Sequence, residues 1–428
     1  MESVRACLEV LEEARGLVLV EERGRVPRYA SSEALVLAER FKNCVVDSVA
    51  SSEIIEAEHW IVEALAAVEA LEHKLALRGV TLPKELKSFV EEPRAHLRKK
   101  LFTYTLDLLR GLTPLEEYVS KARAAVTTSL RANMRSLYQV WGLSSILALL
   151  AERGFRLAYP EHGYLSFDRS GKQRLGSIPP NAVLCEITRG CLSLFHEAPR
   201  PLSWEDSRDL RRIWGLYTAL RPDAMVYEGW TLDMVDFSRS PPVRRPSVII
   251  EFKELEEWWE RARDLKGYFG RPISAEEWAS MWLEGLWEGL AEALGVGRAE
   301  ARRRAEEGRA LRVKEPKLLL LYKSTYKPDL MILVSRVALP QELRRELESE
   351  GVMVADGVSF DARRLEEVAG ELARRASKTG RARALIEVSA DLAEELQELS
   401  RAMNVSLEEV LRRAVSLLKS SPLSEQEA

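Results

Sequence analysis

The spacing of apolar positions changes several times along the chain, and each change marks an element. In residues 52–78, Ile55, Trp60, Ile61, Ala64, Leu65, Val68, Leu71 and Leu75 recur every three or four positions, which predicts an amphipathic helix closed by Gly79. Thr113-Pro114-Leu115-Glu116 joins a capping box to a proline at the first helical position. A long helix should start there and run through Arg135 to about Arg153, with Gly142 its weakest point. The period then shortens. Residues 155–159 and 164–167 flank His162-Gly163, and residues 183–188 and 192–195 flank Arg189-Gly190, so two hairpins are expected. A helix over 203–220 leads into strands at 223–227 and 247–253, and an aromatic helical stretch begins at 254. Residues 317–322 and 330–334 read as strands, followed by a helix from Pro340 and a short strand at 352–355. This alternation predicts an α/β fold with a mixed central sheet behind a mainly helical N-terminal region covering residues 1–125.

The candidate chemistry sits on two of the predicted strands. Val248, Ile249 and Ile250 form an apolar, β-branched run that ends in Glu251-Phe252-Lys253. Strand side chains alternate, so Glu251 and Lys253 share one face and Phe252 takes the other. Asp223 follows Pro222 where the chain leaves a turn, and pairing of the two strands would bring it close to Glu251. Two carboxylates are hard oxygen ligands suited to Mg²⁺ or Mn²⁺. Lys253 can then orient or deprotonate an attacking water, or neutralise charge developing on a phosphoryl group. The competing reading makes Asp223 a turn residue and Glu251 with Lys253 a structural ion pair.

Pro222-Asp223 with Glu251-Phe252-Lys253, placed on strands with a helix before and after, resembles the motif of the PD-(D/E)XK nuclease superfamily, which includes restriction endonucleases and archaeal Holliday junction resolvases. The resemblance implies a restriction-endonuclease-like core over residues 126–373. It also implies metal-dependent hydrolysis of phosphodiester bonds in DNA, with catalytic roles for Asp223, Glu251 and Lys253. The metal would be held by Asp223, Glu251 and the carbonyl of Phe252. Many members carry a glutamate on the first core helix, where this chain has Gln139, and Lys266 or Tyr268 on the following segment would contact the scissile phosphate.

The last fifty residues carry a second pattern. In residues 381–388, Ala384, Ile386 and Val388 alternate with Arg381, Arg383, Leu385 and Glu387, and helices over 390–402 and 406–419 follow. One strand and two helices, spanning 381–420, resemble a ribbon-helix-helix domain of the Arc and MetJ type. Such a unit cannot close a core alone, so a homodimer is expected. The resemblance implies that the paired strands would present Arg381 and Arg383 to DNA.

Composition narrows the picture. The 428 residues are 46% hydrophobic and 30% charged with a formal net charge of −4, so nucleic-acid affinity has to come from local patches. No run of about 18 apolar residues occurs and the N-terminus has no signal-peptide pattern, so a cytosolic protein without membrane association is expected. Cys7, Cys44, Cys185 and Cys191 lack zinc spacing and read as reduced core residues. Scarce asparagine and glutamine beside abundant arginine and glutamate suggest a thermophile. The alternative to a Mg²⁺-dependent deoxyribonuclease is a catalytically inactive DNA-binding or scaffolding protein on the same fold, and the charge pattern leaves an RNA-directed nuclease open as a third reading.

Overall fold

The computed structural model describes residues 6–12, 19–23, 26–168, 178–198, 221–234, 244–264, 291, 295–297, 299–300, 303–304, 312–379 and 389–420. The chain forms two compact units, residues 1–382 and 383–428. The expected helix over 203–220, and Lys266, Tyr268, Arg381 and Arg383, lie outside the described residues. No described helix is long and apolar enough to cross a membrane.

The first unit opens with a hairpin, β1 (Val20–Arg23) and β2 (Val26–Tyr29), before a 44-residue helix, Ser32–Leu75. That helix begins twenty residues earlier than the apolar stripe at 52 suggests. Ser31 caps it, its Oγ accepting the Ala34 N–H at 3.0 Å, and the chain continues through a kink at Ala50. It ends at Leu75, with Ala76 left-handed at φ 50°, and Gly79 opens the short strand β3 (Gly79–Thr81) instead of closing the helix. Three short helices, Lys84–Glu91, Pro93–Lys99 and Phe102–Leu109, lead to the long helix Leu115–Glu152. Pro114, expected at the first helical position behind a capping box, is instead the N-cap, with no side-chain cap bond, and the helix runs unbroken through Arg135 and Gly142. The two long helices pack together through Trp60, Ala64, Leu71, Val126, Leu137 and Tyr138.

A seven-stranded mixed sheet follows in the order β13-β12-β9-β8-β7-β6-β4. Its strands are β4 (Arg156–Tyr159), β6 (Ala182–Glu186), β7 (Gly190–His196), β8 (Ala224–Glu228), β9 (Val248–Lys253), β12 (Leu330–Ser335) and β13 (Val352–Ala355). β9, β12 and β13 run parallel, and the rest of the order is antiparallel. Alternation along the strands divides the core. Val248, Ile250 and Phe252 join the long helices on one face, and Ile249, Met331 and Leu333 join the helix Glu315–Tyr326 on the other.

Several expectations need correction. Only the second hairpin forms: β6 pairs with β7, whereas β5 (Tyr164–Ser166) leaves β4 and pairs in parallel with β3. Residues 317–322 are helical, not a strand. Their apolar run is buried all round, and a period cannot separate a fully buried helix from a fully buried strand, while Pro316 occupies the first turn where its missing N–H costs nothing. Residues 254–264 are not a helix either. Glu257 turns left-handed at φ 48°, a single 3₁₀ turn spans Trp258–Glu260, and β10 (Ala262–Asp264) pairs with β11 (Arg312–Lys314). The cysteines are not free thiols: Cys7 pairs with Cys44 and Cys185 with Cys191. The second pair consists of residues directly opposite one another in the β6–β7 register, which supplies the proximity a disulfide needs.

In the second unit Ala390–Met403 and Leu407–Ser420 are helices, joined through a left-handed Asn404. Ser389 caps the first helix and Ser406 Oγ accepts the Glu409 N–H at 3.2 Å at the start of the second. The expected strand over 381–388 lies outside the described residues.

Candidate active site

The sheet register assembles the site. Ala224 stands opposite Ile250 in the antiparallel β8–β9 pair, so the next step along each strand sets Asp223 against Glu251. The Asp223 backbone N–H donates to Glu251 Oε1 at 2.8 Å, and the Phe252 N–H donates to Asp223 Oδ2 at 2.8 Å. The two acids are thus tied crosswise through each other's strands. Lys253, two residues on and on the face of Glu251, donates to Glu251 Oε2 at 3.3 Å and to Glu315 Oε2 at 2.8 Å. Asp223, Glu251 and Lys253 are 9%, 2% and 8% exposed, so this is a charged network inside the protein.

Gln139 reaches the same point from the long helix. Its Nε2 donates to Asp223 Oδ1 at 2.7 Å, so the amide nitrogen faces the carboxylate and Gln139 positions Asp223. The helix comes this close because Gly142 has no side chain. A Cβ at Gly142 would fall 2.3 Å from Phe252 Cε1. The glycine read from sequence as a weak point is therefore the place where the helix seats on β9.

Three acids that the sequence reading missed also surround the motif. Glu315, at the start of the helix Glu315–Tyr326, holds Lys253, and no local pattern links it to a motif 62 residues earlier. Glu254, immediately after the triplet, is 4% exposed, with Arg135 Nε 3.6 Å from Oε1. Glu197 donates its backbone N–H to the Asp223 carbonyl at 2.9 Å. A pocket of about 200 Å³ opens over the motif, walled by Arg135, Glu254, Trp258, Arg261 and Glu315. Trp258 is fixed there by a 3.1 Å hydrogen bond from Nε1 to Ser335 Oγ, and its ring lies 5.8 Å from Lys253 Nζ.

Electrostatics separate the roles. Burial first, and then the Glu251 charge, raise the Asp223 pKa well above the carboxylate range despite Lys253 and the Phe252 N–H. For Lys253 burial alone would depress the pKa, but Glu315, Glu251 and Asp223 outweigh it and hold the ammonium charged. A lysine kept protonated is a poor base and a good fixed cation. Lys253 thus bridges Glu251 and Glu315, and burial beside the Glu251 charge is what raises the Asp223 pKa.

Those donors fit a hard divalent cation. Each oxygen of Asp223 accepts one internal hydrogen bond and keeps further lone-pair capacity, and Glu254 Oε1 is buried without a hydrogen-bond donor. Among the described residues no group of three or more His, Cys, Asp or Glu side chains is disposed to hold a metal. Asp223 and Glu251 would therefore hold the ion with backbone or water oxygens, the habit of Mg²⁺. Neither a family model, a curated protein nor a solved structure matches the chain.

Proposed function

We propose that the protein is a Mg²⁺- or Mn²⁺-dependent nuclease that hydrolyses phosphodiester bonds in DNA at Asp223, Glu251 and Lys253. The observation that carries this reading is the crosswise pair of hydrogen bonds that locks two buried carboxylates together, beside a lysine that stays charged. The cation would lower the pKa of a bound water and polarise a phosphoryl oxygen. Asp223 and Glu251 would hold it, Gln139 keeps Asp223 in place, and the Lys253 ammonium offsets charge that grows on the phosphoryl oxygens. Glu315 holds Lys253 against the site.

The tail fits a dimerisation role. Leu392, Leu399, Leu407, Leu411 and Val415 are between 37% and 50% exposed, an apolar load that a second copy of the helix pair would cover. Paired tails of the ribbon-helix-helix kind would bring two sites to one DNA molecule. Paired cysteines are usual in oxidising compartments and occur inside cells chiefly in hyperthermophiles, so a cytoplasmic location would go with a thermophilic source.

One observation favours the inactive scaffold: in place of a further acid, the long helix offers Asp223 a neutral amide donor. The deciding experiment is cleavage of labelled single-stranded, duplex, forked and four-way DNA, with a matched RNA set, in Mg²⁺ or Mn²⁺. Cutting that disappears in Glu251→Ala supports the nuclease. Binding with no cutting by the wild type overturns it in favour of the scaffold.

A further inference from the structure

Seven of the eleven residues around the 200 Å³ pocket over the motif are charged, which suits an ionic ligand and not an apolar one. At about 30 Å³ per water the space holds roughly six or seven waters, less than the ~300–1,000 Å³ of pockets that take whole small molecules. It admits a phosphate group with the water shell of a cation and leaves a base outside. The charges on its floor are spent on one another: Lys253 bonds Glu251 and Glu315, and Asp223 accepts from Gln139 and the Phe252 N–H.

The rim is different. Arg261 is exposed, and its backbone is fixed on both sides: its N–H donates to the Trp258 carbonyl at 3.1 Å and its carbonyl accepts the Glu315 N–H at 3.0 Å, just ahead of the β10–β11 ladder. Across the pocket Arg135 stands one turn beyond Arg131 on the long helix, about 6 Å along the axis. Between Glu117 and Glu152 that helix has no acidic residue. Among the described residues, none of the three guanidiniums donates a side-chain hydrogen bond, and only Arg135 has a carboxylate within 4 Å, Glu254 at 3.6 Å. Partial burial first, and then the Arg131 charge, lower the Arg261 pKa, and Arg135 adds to this despite Glu254 and Glu315. Each guanidinium brings a planar fork of N–H donors, the shape that bonds two oxygens of one phosphate.

We propose that Arg131, Arg135 and Arg261 clamp a backbone phosphate of nucleic acid at the rim of this pocket, next along the strand to the phosphate held over Asp223 and Glu251. The inference deepens the nuclease reading and rests on it for the neighbouring phosphate. DNA and RNA present the same phosphodiester group. A clamp on the backbone fixes the register of the strand without reading bases, so this site adds affinity and little sequence preference.

The test uses the full-length protein in EDTA, so that binding is read apart from cutting. Fluorescence anisotropy would follow a labelled forked DNA and a matched RNA fork with the wild type, Arg131→Gln/Arg261→Gln, Arg261→Lys and Arg345→Gln. Arg131 and Arg261 are exposed, so their variants should fold normally by circular dichroism. The double variant should bind at least tenfold more weakly and lower the salt slope by about 1.4 to 1.8, the share of two phosphate contacts. Arg261→Lys should keep the slope and lose about threefold, because an ammonium keeps the charge without the fork. Arg345 is exposed on the helix Gln341–Ser349 outside the pocket, and its variant should stay within twofold of the wild type. DNA and RNA bound with equal loss in the double variant support the shared phosphodiester, and a loss on one alone assigns the clamp to that nucleic acid. A wild type that binds neither fork, a double variant within twofold of the wild type, or an equal loss in Arg345→Gln overturns the clamp, whether or not the protein cuts. Arginine-dependent binding together with no cleavage in Mg²⁺ or Mn²⁺ upholds the clamp and removes the nuclease reading alone.

Discussion

In the first unit charge is carried inside, with Glu251 2% and Lys253 8% exposed, whereas in the C-terminal helix pair apolar side chains are left outside, with Leu399 49% and Val415 50% exposed. Each arrangement is costly in isolation. The buried network offsets its cost with hydrogen bonds fixed by sheet register and with the Lys253 ammonium, which bonds both Glu251 and Glu315. The helix pair has no such internal remedy because two helices of 14 residues enclose too little core. On the function proposed above, the buried carboxylates would take a cation and the exposed leucines a second apolar face.

The largest effect should come from Glu251→Ala. It removes a carboxylate, the acceptor of the Asp223 N–H and one partner of Lys253, so metal-dependent cleavage should fall by about 10³-fold or more. Single-turnover cleavage of a labelled substrate reads this directly, and activity within tenfold of the wild type would show that the charges are structural. Next, Leu399→Glu with Val415→Glu should convert a dimer to a monomer without unfolding the first unit. Sedimentation that gives the same mass for wild type and variant would separate the exposed leucines from dimerisation.

Gly142→Ala is expected to destabilise the protein by about 2 kcal/mol. The usual helical gain from alanine is about 1 kcal/mol, but a methyl 2.3 Å from the Phe252 ring has to displace a 1% exposed aromatic or the helix itself. Urea denaturation checks it, and a neutral or stabilising outcome would mean that the helix does not seat on β9 as described. Cleavage should fall with stability, because Phe252 lies between Glu251 and Lys253.

The smallest effect concerns pH. The raised Asp223 pKa means that the folded protein holds this proton more tightly than the unfolded chain does. That contribution to stability is complete below the usual carboxylate pKa and is lost as pH rises through the folded value. Asp223→Asn, with Gln139 turned to offer its carbonyl, should therefore unfold at higher urea than the wild type at pH 7 in EDTA. The difference should vanish near pH 3. Mg²⁺ should reverse the order at pH 7 by stabilising only the wild type. An advantage that is the same at both pH values would mean that Asp223 is ionised without strain.

Much of this was legible from local pattern. Apolar period and proline placement located the long helix at Pro114, and a β-branched run ending in Glu251-Phe252-Lys253 located β9 and the side each residue faces. The β6–β7 hairpin was equally legible, and with it the signal that Cys185 and Cys191 oppose one another, six residues apart around one turn. Lys317 to Tyr322 misled because a uniformly apolar run fits a buried helix as well as a buried strand. The first hairpin failed because β5 found a distant partner in β3, and no local rule records which of two edges a short strand will join.

The sequence by itself determined which residue types stand on which face of each element, since backbone geometry makes side-chain direction a local property. Only the tertiary structure decided which elements meet. It set Asp223 beside Glu251, brought Gln139 in over Gly142, and supplied Glu315 to Lys253 from a helix 62 residues away. Those contacts depend on long-range packing, where small side chains admit close approach and large ones fill what remains, and that information is spread over the whole chain.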